Sequence, residues 1–285
     1  MRPVISAEEI AYSYQEIMAV DHISFGIGEG EVLGFLGPNG AGKTTTLNIL
    51  TGLMKAQEGR VFIGGLDIAM QTKDAQEEIG VCFEEKNLYE EMSASENLRF
   101  YAALFGIRDF DPLPLLRRVG LPAARKDRVA NFSKGMKQRL MVARALVNQP
   151  RALFLDEPTD GLDPVSAQAV RQVIIEEKER GAAIFLTTHD MFEADKLSDR
   201  VAFINDGRIV ALDTPDELKH RHGKRRIRIR YRDDGAVLEE ELELEAPDIG
   251  PKLNAIATER TVVDMHTEEA TLEDIFIELT GRGLA

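Results

Sequence analysis

The sequence predicts an α/β protein: a parallel sheet wrapped by helices, with early antiparallel strands, an all-helical insert and a small α+β domain at the end. Three observations predict it. After residue 150, continuous apolar runs such as Ala152 to Leu155 alternate with helical segments, as buried parallel strands and their crossover helices do. Residues from about 86 to 150 read as helical throughout. Past Gly223, Arg and then Glu alternate with apolar residues, the period of a strand.

The elements follow in order. Ile10 to Tyr14, Val20 to Ile27 and Glu31 to Leu36 are strand-like. The Gly-rich stretch GPNGAG opens a helix from about Lys43 to Leu50, closed by Gly52. Arg60 to Ile63 is a strand turning at Gly64-Gly65, and Ile79 to Phe83 is a short apolar run. Ser93-Ala-Ser-Glu96 is a capping box, and its helix carries Leu98, Tyr101, Ala102 and Phe105 on one face before Gly106. Asp111 to Val119 is a second helix, and a third follows Ser133 as N-cap. Val165 to Arg180 is a helix and Ala183 to Leu186 a strand. Val201 to Ile204 and Ile209 to Leu212 flank the hairpin turn Asp206-Gly207. Thr214-Pro215-Asp-Glu217 caps a further helix.

In the C-terminal part, RRIRIRYR and EEELELE flank Asp233-Asp234-Gly235. With Asp234-Gly235 as a two-residue turn, Arg230 faces Glu239, Arg228 faces Glu241 and Arg226 faces Glu243, while Ile227 and Leu242 share the other face. The run reads as a hairpin with cross-strand ion pairs, against the rival of a nucleic-acid or lipid patch. Thr271-Leu-Glu-Asp274 caps a last helix, closed by Gly281. The chain divides into residues 1–222 and a small C-terminal accessory domain, 223–285.

Totals narrow the function. The chain has 285 residues, 44% of them apolar, enough for a large domain and a smaller one. Its 35 basic and 49 acidic residues give a net charge of −14, which argues against general nucleic-acid affinity. Cys82 is the single cysteine, so no internal disulfide forms. The N-terminus MRPVISAEEIAYSY has no apolar signal core, and no run of about 18 apolar residues is present to span a membrane.

The chemistry sits at strand ends. Gly37 to Thr44, GPNGAGKT, follows a strand and opens a helix, the context of a phosphate loop. Its glycines let successive backbone N–H groups curl round an anion. In such a loop Lys43 would reach the β and γ phosphates, and Thr44 would bind magnesium through its hydroxyl. LFLDEPT, Leu153 to Thr159, is an apolar strand ending in two carboxylates. Asp156 is the expected magnesium partner, through water, and Glu157 is expected where a water attacks the γ phosphate, in a general-base role. His189 ends the next strand, where it can orient that water. Tyr14 is the candidate to stack on a base, with Tyr12 its competitor. In FSKGM, Ser133 and Gly135 leave a bare, positive helix N-terminus, which is an anion site.

These motifs, in this order, resemble the nucleotide-binding subunit of an ATP-binding cassette (ABC) transporter over about residues 3 to 220. The resemblance implies a P-loop NTPase core with a parallel sheet, an antiparallel β subdomain and a helical subdomain at about 86–150. Gly37 to Thr44 is similar to Walker A, so Gly37, Pro38, Asn39, Gly40, Ala41, Gly42, Lys43, Thr44 and Thr45 are the expected ATP contacts. Leu153 to Glu157 is similar to Walker B, Asp160-Gly-Leu-Asp163 to the D-loop, His189 to the switch histidine and Tyr14 to the adenine-stacking aromatic. FSKGM resembles the signature motif usually written LSGGQ; Ser133 and Gly135 keep its two phosphate-touching positions, while Lys134 and Met136 depart from it. That departure and LEDIFIELTGR, residues 272 to 282, resemble the branch serving exporters. Where the family has a Gln after IGYxP or IGYxF, this chain has Glu84 after Phe83, either a magnesium ligand or only a hinge.

The resemblance implies an ATPase with ATP and Mg2+, working as a head-to-tail dimer with a second copy or a paralogous ATPase subunit. Ser133 of one chain would complete the partner's site. The motor would drive a separate transmembrane permease, held by a groove of the insert at about 86–135, from the cytoplasmic face of the cell membrane. The rivals are a soluble ABC ATPase acting on ribosome or nucleic acid, and a regulatory binding module. Translation-type members carry two cassettes per chain and DNA-repair types carry long coiled-coil inserts, unlike this chain. Intact Lys43, Asp156 and Glu157 weigh against a module without catalysis.

Overall fold

The computed structural model describes residues 3–84, 87–223, 226–233, 236–268 and 270–281. The chain folds as two compact units, and the chain passes from the first to the second between Leu212 and Asp213. The sequence places the boundary at residue 222; the helix Pro215–His222 instead goes with the second unit, where it packs on the helix Leu272–Thr280.

The first unit runs β1 (Ile5–Tyr14), β2 (Ile17–Ile27), β3 (Val32–Leu36), α1 (Lys43–Leu50), β4 (Glu58–Ile63), β5 (Leu66–Asp67), α2 (Thr72–Glu77) and β6 (Ile79–Cys82). It continues through α3 (Ala94–Leu104), α4 (Leu113–Arg118), two short 3-10 turns, α5 (Lys134–Ala145), β7 (Ala152–Asp156), α6 (Pro164–Glu179), β8 (Ala183–Thr188), α7 (Met191–Leu197), β9 (Arg200–Asn205) and β10 (Arg208–Asp213). Strands β2-β1-β4-β5 make an antiparallel sheet, and β10-β9-β3-β8-β7-β6 a second sheet that is parallel from β9 to β6.

The parallel strands are buried on both faces, and their alternation divides the core in two. On β7, Leu153 and Leu155 join the layer made with α3 to α6, including Leu98, Leu140 and Val173. Ala152 and Phe154 point the other way, to α1 and the antiparallel sheet. There Phe25, Phe35, Phe154 and Phe185 meet with ring centroids 5.1 to 6.0 Å apart. Cutting one of these rings to Ala costs about 3–5 kcal/mol in a packed core.

The capping residues read from sequence fix the insert. Ser93 accepts from the Glu96 N–H while the Glu96 carboxylate accepts from the Ser93 N–H, and Ser133 caps α5. β1 begins five residues before the expected Ile10. A bulge between Ala7 and Ile10, with Glu9 at φ 49°, breaks the period-two pattern there. At the β9–β10 turn, Asp206 and Gly207 both have positive φ, as a type I′ hairpin needs.

The second unit contains α8 (Pro215–His222), β11 (Arg226–Asp233), β12 (Ala236–Glu243), α9 (Ile249–Glu259), β13 (Thr261–Glu268) and α10 (Leu272–Thr280). The register of β11 and β12 is the expected one: Arg226 opposite Glu243, Ile227 opposite Leu242, Arg228 opposite Glu241, Arg230 opposite Glu239. Arg228 pairs with Glu241 at 2.9 Å and Glu239 at 3.4 Å, so the charge run is a solvated ladder. The turn at Asp234-Gly235 lies outside the described residues, as does Arg282. The sheet has a third strand, β13, on the other edge of β11, and Ile256 of α9 joins Ile227, Ile229, Tyr231 and Leu242 in its core. No helix among the described residues is long and apolar enough to cross a membrane.

Candidate active site

The loop between β3 and α1 follows a strand whose five residues are all buried, so its start is fixed by the core. Gly42, at φ 109°, is the N-cap of α1, and no side chain caps the helix. The first-turn N–H groups are therefore left to an outside acceptor, and the helix dipole favours an anion there. A side chain at Gly42 would collide with the Ala19 carbonyl oxygen, and one at Gly37 with that of Ile204. The loop can close this tightly only with glycine at both positions.

Lys43 is 8% exposed and folds back over the loop: its Nζ donates to the Gly37 carbonyl at 2.6 Å and to Pro38 at 3.2 Å. Burial pushes its ammonium pKa down, and the carboxylates of Glu157, Asp156 and Glu84 push it back up. Asp156 closes β7 and is 2% exposed. Its carboxylate accepts from the Thr187 hydroxyl on the neighbouring strand β8. Burial raises the Asp156 carboxyl; the Thr187 hydrogen bond opposes that, Glu84 and Glu157 add to it, and Lys43 opposes it.

Glu157 sits in the left-handed region at φ 45°, an uncommon conformation for a residue with a side chain. Its N–H donates to the Thr187 carbonyl at 3.1 Å, which pins the turn. Its carboxylate stands 2.9 Å from His189 Nδ1 and accepts from the His189 N–H at 3.4 Å.

One cavity of about 450 Å3 unites these groups. Tyr14, Pro38, Asn39, Gly40, Gly42, Lys43, Thr44, Thr45, Glu84, Asp156, Glu157 and His189 line it. Gly37 and Ala41 are buried at the base of the loop. Tyr14 lines the cavity and Tyr12 does not; Tyr12 supports it edge-on at 5.0 Å, half-buried in the core. Ile17, Met18, Ala19 and Asp160 line it too and are not expected from the sequence. The first three belong to the start of β2, where the pattern shows a strand only from Val20; their nearness to Tyr14 across a hairpin is the signal that finds them. Ser133 and Gly135 lie away from this cavity. Ser133 Oγ accepts from the Met136 N–H at 3.2 Å and leaves the N-terminus of α5 exposed.

The oxygens around Lys43 suit a hard divalent cation. Asp156 is a buried carboxylate held by one hydroxyl, Thr44 exposes a hydroxyl at the first turn of α1, and Glu84 adds a second carboxylate. No group of three or more His, Cys, Asp or Glu among the described residues encloses a metal ion. A magnesium ion here would thus share its coordination with phosphate oxygens and water, as Mg2+ commonly does.

A second cavity, of about 390 Å3, opens between β6 and the insert. Val81, Phe83, Leu53, Leu104 and Phe105 give it an apolar floor. Arg144 stands at its edge, 6% exposed. Its guanidinium lies 4.6 Å from the Tyr101 ring centre and donates to the Asn87 carbonyl at 2.9 Å, tying Asn87 to α3 and α5.

A family model described as ABC transporter matches residues 20–160. A fluoroquinolones export ATP-binding protein of Mycobacterium tuberculosis is 45% identical over 99% of this chain and 94% of its own length. A solved ATP-binding subunit of an ABC transporter superposes with a TM-score of 0.72 at 31% identity, covering 76% of this chain and 92% of that one. A dimeric ABC cassette in a post-hydrolysis state, bound to ADP and Pi, superposes with a TM-score of 0.67 at 26% identity over 74% of this chain and 98% of that one.

Proposed function

This chain belongs to the ABC transporter family, and on that premise we propose how its residues drive the work of an ATP-hydrolysing motor subunit of an export system. It is an ATPase, and its ATP-binding domain is the first unit. The observation that carries the assignment of roles is the contact of Glu157 with His189 in the cavity that Lys43 and Asp156 also line. Tyr14 stacks on the adenine. The phosphate loop from Gly37 to Thr45 holds the phosphates, with Lys43 at the β and γ positions. Thr44 and Glu84, with Asp156 through a water, would hold Mg2+, and the ion would neutralise charge on the phosphates. Glu157 takes a proton from the water that attacks the γ phosphorus, the bond to the ADP oxygen breaks, and His189 orients Glu157 and that water.

Ser133 and Gly135 lie outside the chain's own cavity, which supports a role on the nucleotide of a second ATPase subunit. Two chains then bury two ATP molecules head to tail, and ATP binding favours the dimer by mass action. The apolar cavity beside β6 seats a cytoplasmic helix of a separate membrane permease, in the manner of an amphipathic helix in a groove. The subunit accordingly works at the cytoplasmic face of the cell membrane. The Mycobacterium relative is named for export, which favours this reading over action on ribosomes or nucleic acid. The permease selects the cargo.

The experiment is sedimentation of the Glu157→Gln chain with ATP and magnesium. A dimer that forms with ATP and disperses with ADP is expected. A monomer at saturating ATP overturns the dimer cycle.

A further inference from the structure

Lys134 occupies the signature position where the family form has Gly, and its charge is already engaged. Its Nζ lies 3.1 Å from Asp160 Oδ2. The side chain runs across Gly161, at φ 62°, where a Cβ would collide with Nζ. Asp160 in turn lines the chain's own nucleotide cavity, and its N–H donates to the Glu157 carbonyl at 3.2 Å. The pair therefore links two places that serve different nucleotides. Asp160 touches the chain's own cavity, and Lys134 sits between Ser133 and Gly135 at the exposed N-terminal end of α5.

Both members are roughly half exposed, with side chains 61% and 45% accessible. Such a pair is weak and exchanges readily for a stronger partner. A triphosphate carries more charge than one carboxylate, and a lysine meets it as a point charge without a fixed geometry. The first-turn N–H groups beside Lys134 favour an anion at the same spot.

We propose that Lys134 is a nucleotide ligand in trans, held by Asp160 in the separated chain and transferred to the γ phosphate bound by the partner when the two chains close. This rests on the head-to-tail reading above. It gives the partner's phosphate a cation that Gly at this position lacks. It also makes Asp160 a competitor for that cation, so ATP must displace the lysine from its own chain before it can bridge the two.

The test is a double-mutant cycle in the Glu157→Gln background, reading the ATP concentration at which half the chain sediments as dimer, with monomer ATP affinity measured separately. Lys134→Gln should raise that concentration several-fold and flatten its dependence on salt. Asp160→Asn should lower it by about two- to fivefold, the scale of an exposed ion pair. In the Lys134→Gln chain, the effect of Asp160→Asn that remains after allowing for the change in monomer ATP affinity should vanish. If Asp160→Asn acts equally in both chains, the effect belongs to Asp160 alone and the transfer is overturned. If Lys134→Gln leaves dimer formation unchanged, the trans contact is overturned. A parent chain that forms no dimer with ATP overturns the head-to-tail reading itself, and this proposal with it.

Discussion

His189 Nδ1 lies 2.9 Å from a carboxylate oxygen of Glu157, across the ends of two adjacent chain segments that leave β7 and β8. The contact fixes the direction of a carboxylate whose backbone is already held in an uncommon conformation. Glu157→Gln keeps the shape and removes the proposed base. Phosphate release should fall by about two orders of magnitude or more, with ATP affinity unchanged. His189→Ala should lower turnover while leaving ATP affinity within about twofold. Retained turnover in Glu157→Gln takes the base role from Glu157.

Asp156 is costly to the ligand-free fold. Burial raises its carboxyl above the ordinary 3.8, with Glu84 and Glu157 adding to the effect. The folded chain then binds a proton more readily than the unfolded one, so stability falls as pH rises from 3.8 through the folded value. Lys43, pushed below 10.5 mainly by burial, acts in the opposite sense: stability rises with pH from its folded value up to 10.5. At neutral pH, Asp156→Asn should raise the unfolding midpoint of the ligand-free chain by about 2–4 °C, near 1 kcal/mol. It should also remove the further rise that magnesium gives on top of ATP. A lower ligand-free midpoint refutes the burial cost.

One pair of variants separates the capping by Ser133 from its proposed action on the partner's nucleotide. Its hydroxyl caps α5, and Ala at an N-cap costs about 1 kcal/mol while Gly costs a few tenths. Ser133→Gly should keep the unfolding midpoint, Ser133→Ala should lose a few degrees, and both should hydrolyse ATP slowly while binding it normally as monomers. If monomer binding falls in step with turnover, Ser133 does not act on the partner's nucleotide.

Tyr14 is 48% exposed at the mouth of the cavity, braced by Tyr12 and donating its hydroxyl to Met54 Sδ at 3.4 Å. Tyr14→Ala should weaken ATP binding by about 1–3 kcal/mol, and Tyr14→Phe should restore most of it. Equal losses in both variants would move recognition from the ring to the hydroxyl.

Leu104 is 65% exposed on the apolar cavity beside β6. A charge there desolvates poorly against an apolar helix. Leu104→Glu should abolish co-purification of the membrane subunit, with the unfolding midpoint of the chain within about a degree. Undiminished co-purification puts the permease elsewhere.

The sequence carries the parts that need local chemistry. The caps at Ser93, Ser133, Thr214 and Thr271 form as read, because an N-cap is settled within four residues. The β11–β12 register follows from its alternating charges. Short helices are harder: α2 and α7 have six and seven residues, too few to show a helical period. α9 has Gly250 and Pro251 in its first turn, which reads as a loop, and β13 mixes polar and apolar residues on an exposed edge. The Lys134–Asp160 pair joins positions 26 apart, and the place of Asp160 in the cavity depends on the turn that Glu157 makes. Neither follows from a local pattern.

The most direct measurement is recovery of the tagged chain from detergent-solubilised membranes of its source, with identification and quantitation of what comes with it. A polytopic membrane protein at about equal stoichiometry is the expected result for the motor of an export system. Recovery with ribosomes or nucleic acid, from membranes empty of the chain, would contradict the account while leaving the ATP chemistry intact.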